Sequence, residues 1–197
     1  MELWDTAEDK AAAKNLLSEY APVKGRRLIA VGLSAGLERK KWPTERYLEL
    51  ISRISAEYDN LFFVLLGGND AYSIADEIDR GFAGANMVNL VGKLTLRQSF
   101  SLLKQAFMYV GNDTGIMHIA AAAGIRILEI SSFPKDDYLY DYTTYRFRPW
   151  GVPCCIAQPE TGRDNCRGLC QVPYAHCIND VSVDEVYNGF KELLNGV

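Results

Sequence analysis

The strongest constraint on the fold is a series of short, continuous apolar runs, each separated from the next by an amphipathic stretch. RLIAVGL (Arg27–Leu33) and LFFVLLGG (Leu61–Gly68) end in glycine or a small-residue loop, and MVNLVG (Met87–Gly92), FMYVGN (Phe107–Asn112) and IRILEI (Ile125–Ile130) are shorter runs of the same kind. Runs without polar alternation suit strands covered on both faces, as in a parallel sheet. Between them, TERYLELISRISAEY repeats Tyr47, Leu50, Ile51 and Ile54 at helical spacing behind a candidate cap, Thr44. TLRQSFSLLKQA does the same with Leu96, Phe100 and Leu103 behind Thr95. A strand–helix unit of about 25–35 residues predicts right-handed crossovers and an α/β fold, a doubly wound parallel sheet. Residues 6–20 read as a leading helix broken by Pro22 and Gly25, so residues 1–25 are assigned to helix and linker and 26–197 to one domain. SVDEVYNGFKELL (Ser182–Leu194) closes the domain as a helix capped by Ser182 or Asp180.

A chain of 197 residues, 48% of them hydrophobic, can bury a substantial core. Its net charge of −4 gives no general reason to bind nucleic acid or an anionic membrane surface. No run approaches the roughly 18 apolar residues of a membrane span. The start, MELWDTAEDKAAAKN, has neither the basic head nor the apolar centre of a signal peptide, so a cytoplasmic location is expected.

In doubly wound sheets, ligands bind beyond the carboxyl ends of the strands, where loops lead into helices. VGNDTGIMHIAAAAG (Val110–Gly124) is such a junction and carries one of only two histidines. Asp113 is positioned to cap the helix, Gly115 to let a ligand approach the backbone, and Thr114 and His118, four apart, to share a face. Ile116, Ile119, Ala120 and Ala123 form the expected buried stripe, and Gly124 the stop. A hydroxyl, an imidazole, free amides and the positive end of a helix dipole make an anion site. An ordinary capped helix with an incidental histidine fits the same residues.

A second junction, SAGLERKKWPTERYLEL, sends Arg39, Lys40 and Lys41 to the same sheet edge, and a solvated charge run is the plainer reading of that stretch alone. In a third, LLGGNDAYSIADEI, Gly67 and Gly68 make a tight turn, and Asn69 and Asp70 can cap a helix or bind ribose hydroxyls. The pattern is not GxGxxG, so a dinucleotide fingerprint is absent.

Taken in order, KKWPTERYLEL, VLLGGNDA, NLVGKLTLRQ and above all VGNDTGIMHIAAAAG resemble glycosyltransferase family 9, the ADP-heptose:lipopolysaccharide heptosyltransferases. The resemblance covers roughly residues 26–195 and includes a cysteine-bearing tail ending in CINDVSVDEV. It implies a GT-B enzyme, two Rossmann-like halves facing across a cleft, with this chain as the donor-binding C-terminal half. It further implies that Lys40 pairs with the donor phosphates and that Thr114 and Gly115 meet the pyrophosphate. Asp113 is then expected near sugar hydroxyls, His118 near the phosphates and Leu94 against adenine. Transfer is expected to be inverting and metal-independent, with no cofactor. The family's general base is an aspartate of the N-terminal domain, to which nothing here corresponds, so no catalytic residue is assigned in this chain. The acceptor is expected to be lipopolysaccharide-type, reached through that domain, at a peripheral place on the inner membrane. A non-catalytic nucleotide-binding module and half of a sugar-nucleotide epimerase are the alternative readings.

The chain also departs from the family. Ala35-Gly36 stands where some members carry paired threonines, so hydroxyl contacts to phosphate are lost or pass to Ser34. Ala71 falls about where a ribose-gripping carboxylate is expected, which leaves Asp70 as its replacement. SSFPKDDYLYDYTTYRF replaces the usual loop after the fifth strand, and its Tyr138, Tyr140, Tyr142 and Tyr145 can shape the acceptor side or simply pack on the sheet. All five cysteines lie between Cys154 and Cys177, in an irregular spacing that favours reduced structural thiols over a metal site or disulfides.

Overall fold

The structure, a computed structural model, describes residues 3–20, 25–136, 147–163 and 172–196. In chain order its helices and strands are α1 (Ala7–Tyr20), β1 (Arg27–Gly32), α2 (Thr44–Glu57), β2 (Leu61–Leu66), α3 (Tyr72–Gly81), β3 (Met87–Asn89), α4 (Leu96–Leu103), β4 (Ala106–Asn112), α5 (Gly115–Ala122), β5 (Arg126–Ile130), β6 (Cys154–Ala157) and α6 (Val183–Asn195). The six strands form one sheet in the order β3-β2-β1-β4-β5-β6, every neighbouring pair parallel. This is the doubly wound architecture expected from the apolar runs. None of the described helices is long and apolar enough to cross a membrane.

Strand side chains alternate between two cores. Ile29, Val31, Phe63, Leu65, Met108, Val110, Leu128 and Ile130 pack with α2, α3 and α6, whereas Leu28, Ala30, Phe62, Val64, Tyr109 and Ile127 pack with α1, α4 and α5. Each buried Leu, Ile or Phe contributes about 2 kcal/mol of gross transfer free energy, which explains why uninterrupted apolar runs become interior strands. Helix α1 docks on this second core through Ala13 and Leu17.

The helix ends separate accurate cap readings from inaccurate ones. Thr95 forms a full capping box with Gln98, and the Ser182 hydroxyl accepts from the Glu185 amide. Thr44 does not cap α2: it is the first helical residue, and Pro43 at the cap position makes no side-chain bond. The Pro43 carbonyl instead accepts from the Arg46 and Tyr47 amides, and its ring pre-sets the entry angle. Gly124 stops α5 at φ 79°, and Gly25 sits at φ 87°, while Pro22 lies outside the described residues. Strand β6 is an addition to the five runs, because CCIA reads in sequence as thiol chemistry. Cys154 and Cys155 pair with Ile127 and Leu128 as ordinary strand residues.

Glycines at the centre of the sheet set how closely its loops meet. Gly32 and Gly111 are register partners, and the Tyr109 ring lies over both. A Cβ on Gly111 would overlap the Gly32 carbonyl oxygen, a backbone atom that cannot swing aside. Gly111→Ala is expected to cost about 2–3 kcal/mol through overpacking, read as a lower urea midpoint with an unchanged m-value.

Candidate functional site

Strands β1 and β4 are neighbours, yet their chains leave the sheet in opposite directions. The chain after β1 feeds α2 on one face, and the chain after β4 feeds α5 on the other. The crevice between these departures is the topological switch point of the sheet.

Asn112, the last residue of β4, fixes the distance between the two loops. Its Oδ1 accepts from the Trp42 amide (3.3 Å), and its Nδ2 donates to the Leu33 and Ser34 carbonyls (3.5 and 3.4 Å). Trp42 is 1% exposed, meets Tyr47 edge-on at 4.9 Å and donates its indole N–H to the Val181 carbonyl. Tyr47 in turn donates to the Gly32 carbonyl, and the Tyr109 hydroxyl donates to the Asn112 carbonyl. Burial pushes both phenols' pKa values up, so they act as neutral donors. The sequence reading left Asn112 and Trp42 without a role, although a polar residue closing an apolar strand was a visible signal.

A cleft of about 330 Å³ opens above this floor, with Lys40, Asp113, Thr114, Gly115 and His118 on its polar side and Leu37 and Phe147 on its apolar side. Five of the eight residues singled out from the sequence therefore converge. Lys40 Nζ donates to Asp113 Oδ2 at 2.7 Å, and His118 Nε2 stands 3.9 Å from Asp113 Oδ1. Asp113 does not cap α5 as expected. Thr114 holds the cap position, and the charge-assisted bond to Lys40 is worth about twice a neutral cap bond.

Two hydrogen bonds start helix α5, from the Met117 and His118 amides to the Thr114 carbonyl. The amides of Gly115 and Ile116 precede any intrahelical bond. Thr114 Oγ1 is buried and makes no well-formed hydrogen bond, although it stands near enough to the Tyr109 hydroxyl to lower that phenol slightly against the larger effect of burial. Gly115 is exposed, with open space where a Cβ would stand. The helix buries Met117, Ile119 and Ala120, while Ile116 and Ala123 are only half-buried. The stripe is thus rotated toward Met117 relative to the expectation.

The three other singled-out residues stand away from the cleft lining. Ser34 Oγ donates to Asp70 Oδ1 (3.0 Å) and accepts from the Gly68 amide, while Asp70 Oδ2 accepts from the Ala35 amide. Together they latch the β1 and β2 loops, and the missing side chain at Gly67 makes room for Ser34. Leu94 packs half-buried against the second core. The basic triplet also divides: Lys40 alone enters the cleft, Lys41 pairs with Glu38 at 2.7 Å, and Arg39 raises the local positive potential at His176.

One group was overlooked. Glu129 on β5 is 4% exposed, and its Oε2 has no hydrogen-bond partner. Burial first, then the Asp113 carboxylate, push its carboxyl up to about 8, against weaker opposite pulls from a Ser131 hydrogen bond and Lys40. An ordinary glutamate holds a proton at pH 7 only at a cost of a few kcal/mol. Burying an uncompensated carboxylate costs several kcal/mol. The neutral acid is therefore the resting form. A lone carboxyl inside the apolar run IRILEI was the signal that could have found it.

Among the described residues, Cys154, Cys155 and Cys177 are free thiols, and no His, Cys, Asp and Glu side chains group in a way that would hold a metal ion. Cys177 is buried, and burial raises the Cys154 and Cys155 thiols. Cys166, Cys170 and the tyrosines at 138, 140, 142 and 145 lie outside the described residues.

Comparison with known proteins gives a consistent answer. The chain is 32% identical over 98 residues to lipooligosaccharide heptosyltransferase 2 of Haemophilus ducreyi, covering 47% of this chain and 28% of that protein. A solved family 9 glycosyltransferase from Veillonella parvula superposes with a TM-score of 0.82 at 15% identity, over 100% of this chain and 54% of its own. ADP-heptose lps heptosyltransferase II of E. coli superposes with a TM-score of 0.74 at 22% identity, over 98% and 53% of the two chains. In each case the chain spans about half of its relative or less. The profile of glycosyltransferase family 9 (heptosyltransferase) matches residues 2–130, nearly two thirds of the sequence, and the chain belongs to that family.

Proposed function

We propose that this chain is the donor-binding half of an inverting, metal-independent glycosyltransferase that uses a nucleotide-diphospho-sugar. The donor is ADP-heptose, as named for the E. coli relative, and the product belongs to lipopolysaccharide core synthesis. The observation that carries this reading is the convergence of Lys40, the α5 amides, Thr114 and His118 on one cleft at the switch point. Family membership supplies the reaction class.

In that reaction an acceptor hydroxyl oxygen attacks the anomeric carbon from the face opposite the diphosphate. The bond from that carbon to the diphosphate oxygen breaks, and its electron pair leaves with the diphosphate. The chemical task on the donor side is therefore to stabilise growing negative charge. Lys40 answers it with a cation, and the Gly115 and Ile116 amides answer it with donors at the positive end of the helix dipole. Thr114 Oγ1, which is buried without a well-formed hydrogen bond, is assigned to a phosphate oxygen once its side chain turns toward the cleft. Removing the acceptor proton needs a base, and we assign that base, with the acceptor site, to a partner half. The latch of Ser34 and Asp70 holds the loop that carries Lys40. We assign Leu94, beside the Thr95 cap of α4, to the base of the nucleotide.

Calorimetric titration with ADP, UDP and GDP tests the site. ADP is expected to bind most tightly. Lys40→Ala and His118→Ala are each expected to lose about 1–3 kcal/mol, ten- to hundredfold in Kd. Equal affinity in wild type and both variants removes the assignment.

The ion pair has its own signature. Lys40→Met leaves Asp113, 7% exposed, without its cation. That change is expected to destabilise the fold by about 2 kcal/mol. Urea unfolding should show most of the loss recovered in Lys40→Met/Asp113→Asn, whereas ADP affinity stays low in that double variant.

A further inference from the structure

The fold buries a second carboxyl, Glu129, within electrostatic reach of Asp113 and of the Lys40 cation that Asp113 already engages. Glu129 lies opposite Gly111 on one side and Ile156 on the other, in register across three strands. By strand alternation it shares the sheet face of Ile127, the face that also carries Tyr109. The titratable groups that face it are Asp113 after β4, Tyr109 within β4, Lys40 from the turn after β1 and Cys154 on β6, with Arg148 acting on Cys154 from the segment before β6. Lys40 already holds Asp113 at 2.7 Å, and Glu129 Oε2 finds no donor.

We propose that Glu129 is a positioning residue of the diphosphate site: uncharged, it leaves Lys40 with a single carboxylate partner and a residual pull on phosphate, and ionised it becomes a second anion against the same lysine. The inference rests on the donor-site reading above and adds a proton to it. A diphosphate arriving over Lys40 and α5 brings negative charge above Glu129, so it raises the carboxyl's affinity for its proton. By linkage the proton strengthens diphosphate binding to the same degree. Affinity is therefore full while Glu129 holds its proton and falls as pH rises through the carboxyl's folded value of about 8. If the ligand raises that value by about one unit, ionisation costs about tenfold in Kd.

Two measurements test this on the 197-residue chain. The first needs no ligand. In carbon-13 NMR of labelled glutamates, one side-chain carboxyl resonance, missing in Glu129→Gln, should titrate near pH 8, and Asp113→Asn should lower its midpoint. A Glu129 midpoint near 4 overturns the proposal. The second is calorimetric titration with ADP from pH 7.5 to 9.5 in buffers of different ionisation enthalpy. Wild type should lose about sixfold in affinity across that range and take up about half a proton on binding near pH 8.5. Glu129→Gln should bind as wild type does at pH 7.5 and lose both the slope and the proton uptake. The same slope in Glu129→Gln, or none in wild type, overturns the role of Glu129 and leaves the donor site standing. No ADP binding at any pH overturns both.

Discussion

The closeness of β1 and β4 at Gly32 and Gly111 is the constraint on which the rest of the structure depends. Only because neither residue has a side chain can Tyr109 lie across the strand ends and reach the Asn112 carbonyl. Asn112, held there, spends its amide on the far loop, accepting from Trp42 and donating to Leu33 and Ser34. Trp42 is anchored at its other end by the Val181 carbonyl, just before α6. The turn carrying Lys40 is thus pinned at both ends, and the ammonium arrives over Asp113 without the entropy cost of ordering a free surface loop.

Charge in the cleft is close to balanced before any ligand binds, which constrains how it can work. Lys40 is 21% exposed and Asp113 7%, so the pair is neither a weak surface bridge nor a sealed one. Burial raises the Glu129 carboxyl and so favours its neutral form, which with the dipole of α5 offsets the Asp113 charge in the proposed donor site. Asp113 holds Lys40 over the cleft through their ion pair.

How much of this the sequence disclosed depends on the range of the interaction involved. Strands β1 to β5 were legible because a strand covered on both faces is almost wholly apolar, with Asn112 and Glu129 as the buried exceptions. Strand β6 was hidden by its own chemistry: two cysteines at the sheet edge look like ligands when they are only small apolar residues in register with Ile127 and Leu128. Local bonds such as the Thr95 box could be foreseen from spacing alone. Asp113 could not, because its partner Lys40 is 73 residues away and a competing long-range charge outweighs a nearby amide. Ser34 and Asp70 are singled out in the sequence as donor contacts, to phosphate and to ribose hydroxyls, whereas in the structure they bond to each other, which nothing in the order of residues tells.

The alanine-rich helix follows from the same geometry. Ala120 is completely buried where α5 packs on the sheet, and small residues there let the axis lie low over β4 and β5. A larger side chain at this position would lift the helix and carry its amides away from the level of Lys40. A helix of eight residues is too short to be stable alone, so its position is dictated by this packing and by the stop at Gly124. The direction of the helix N-terminus, which the proposed donor site relies on, is therefore set from the opposite end. Its alanines, the least chemical residues of the segment, decide whether the chemical ones converge.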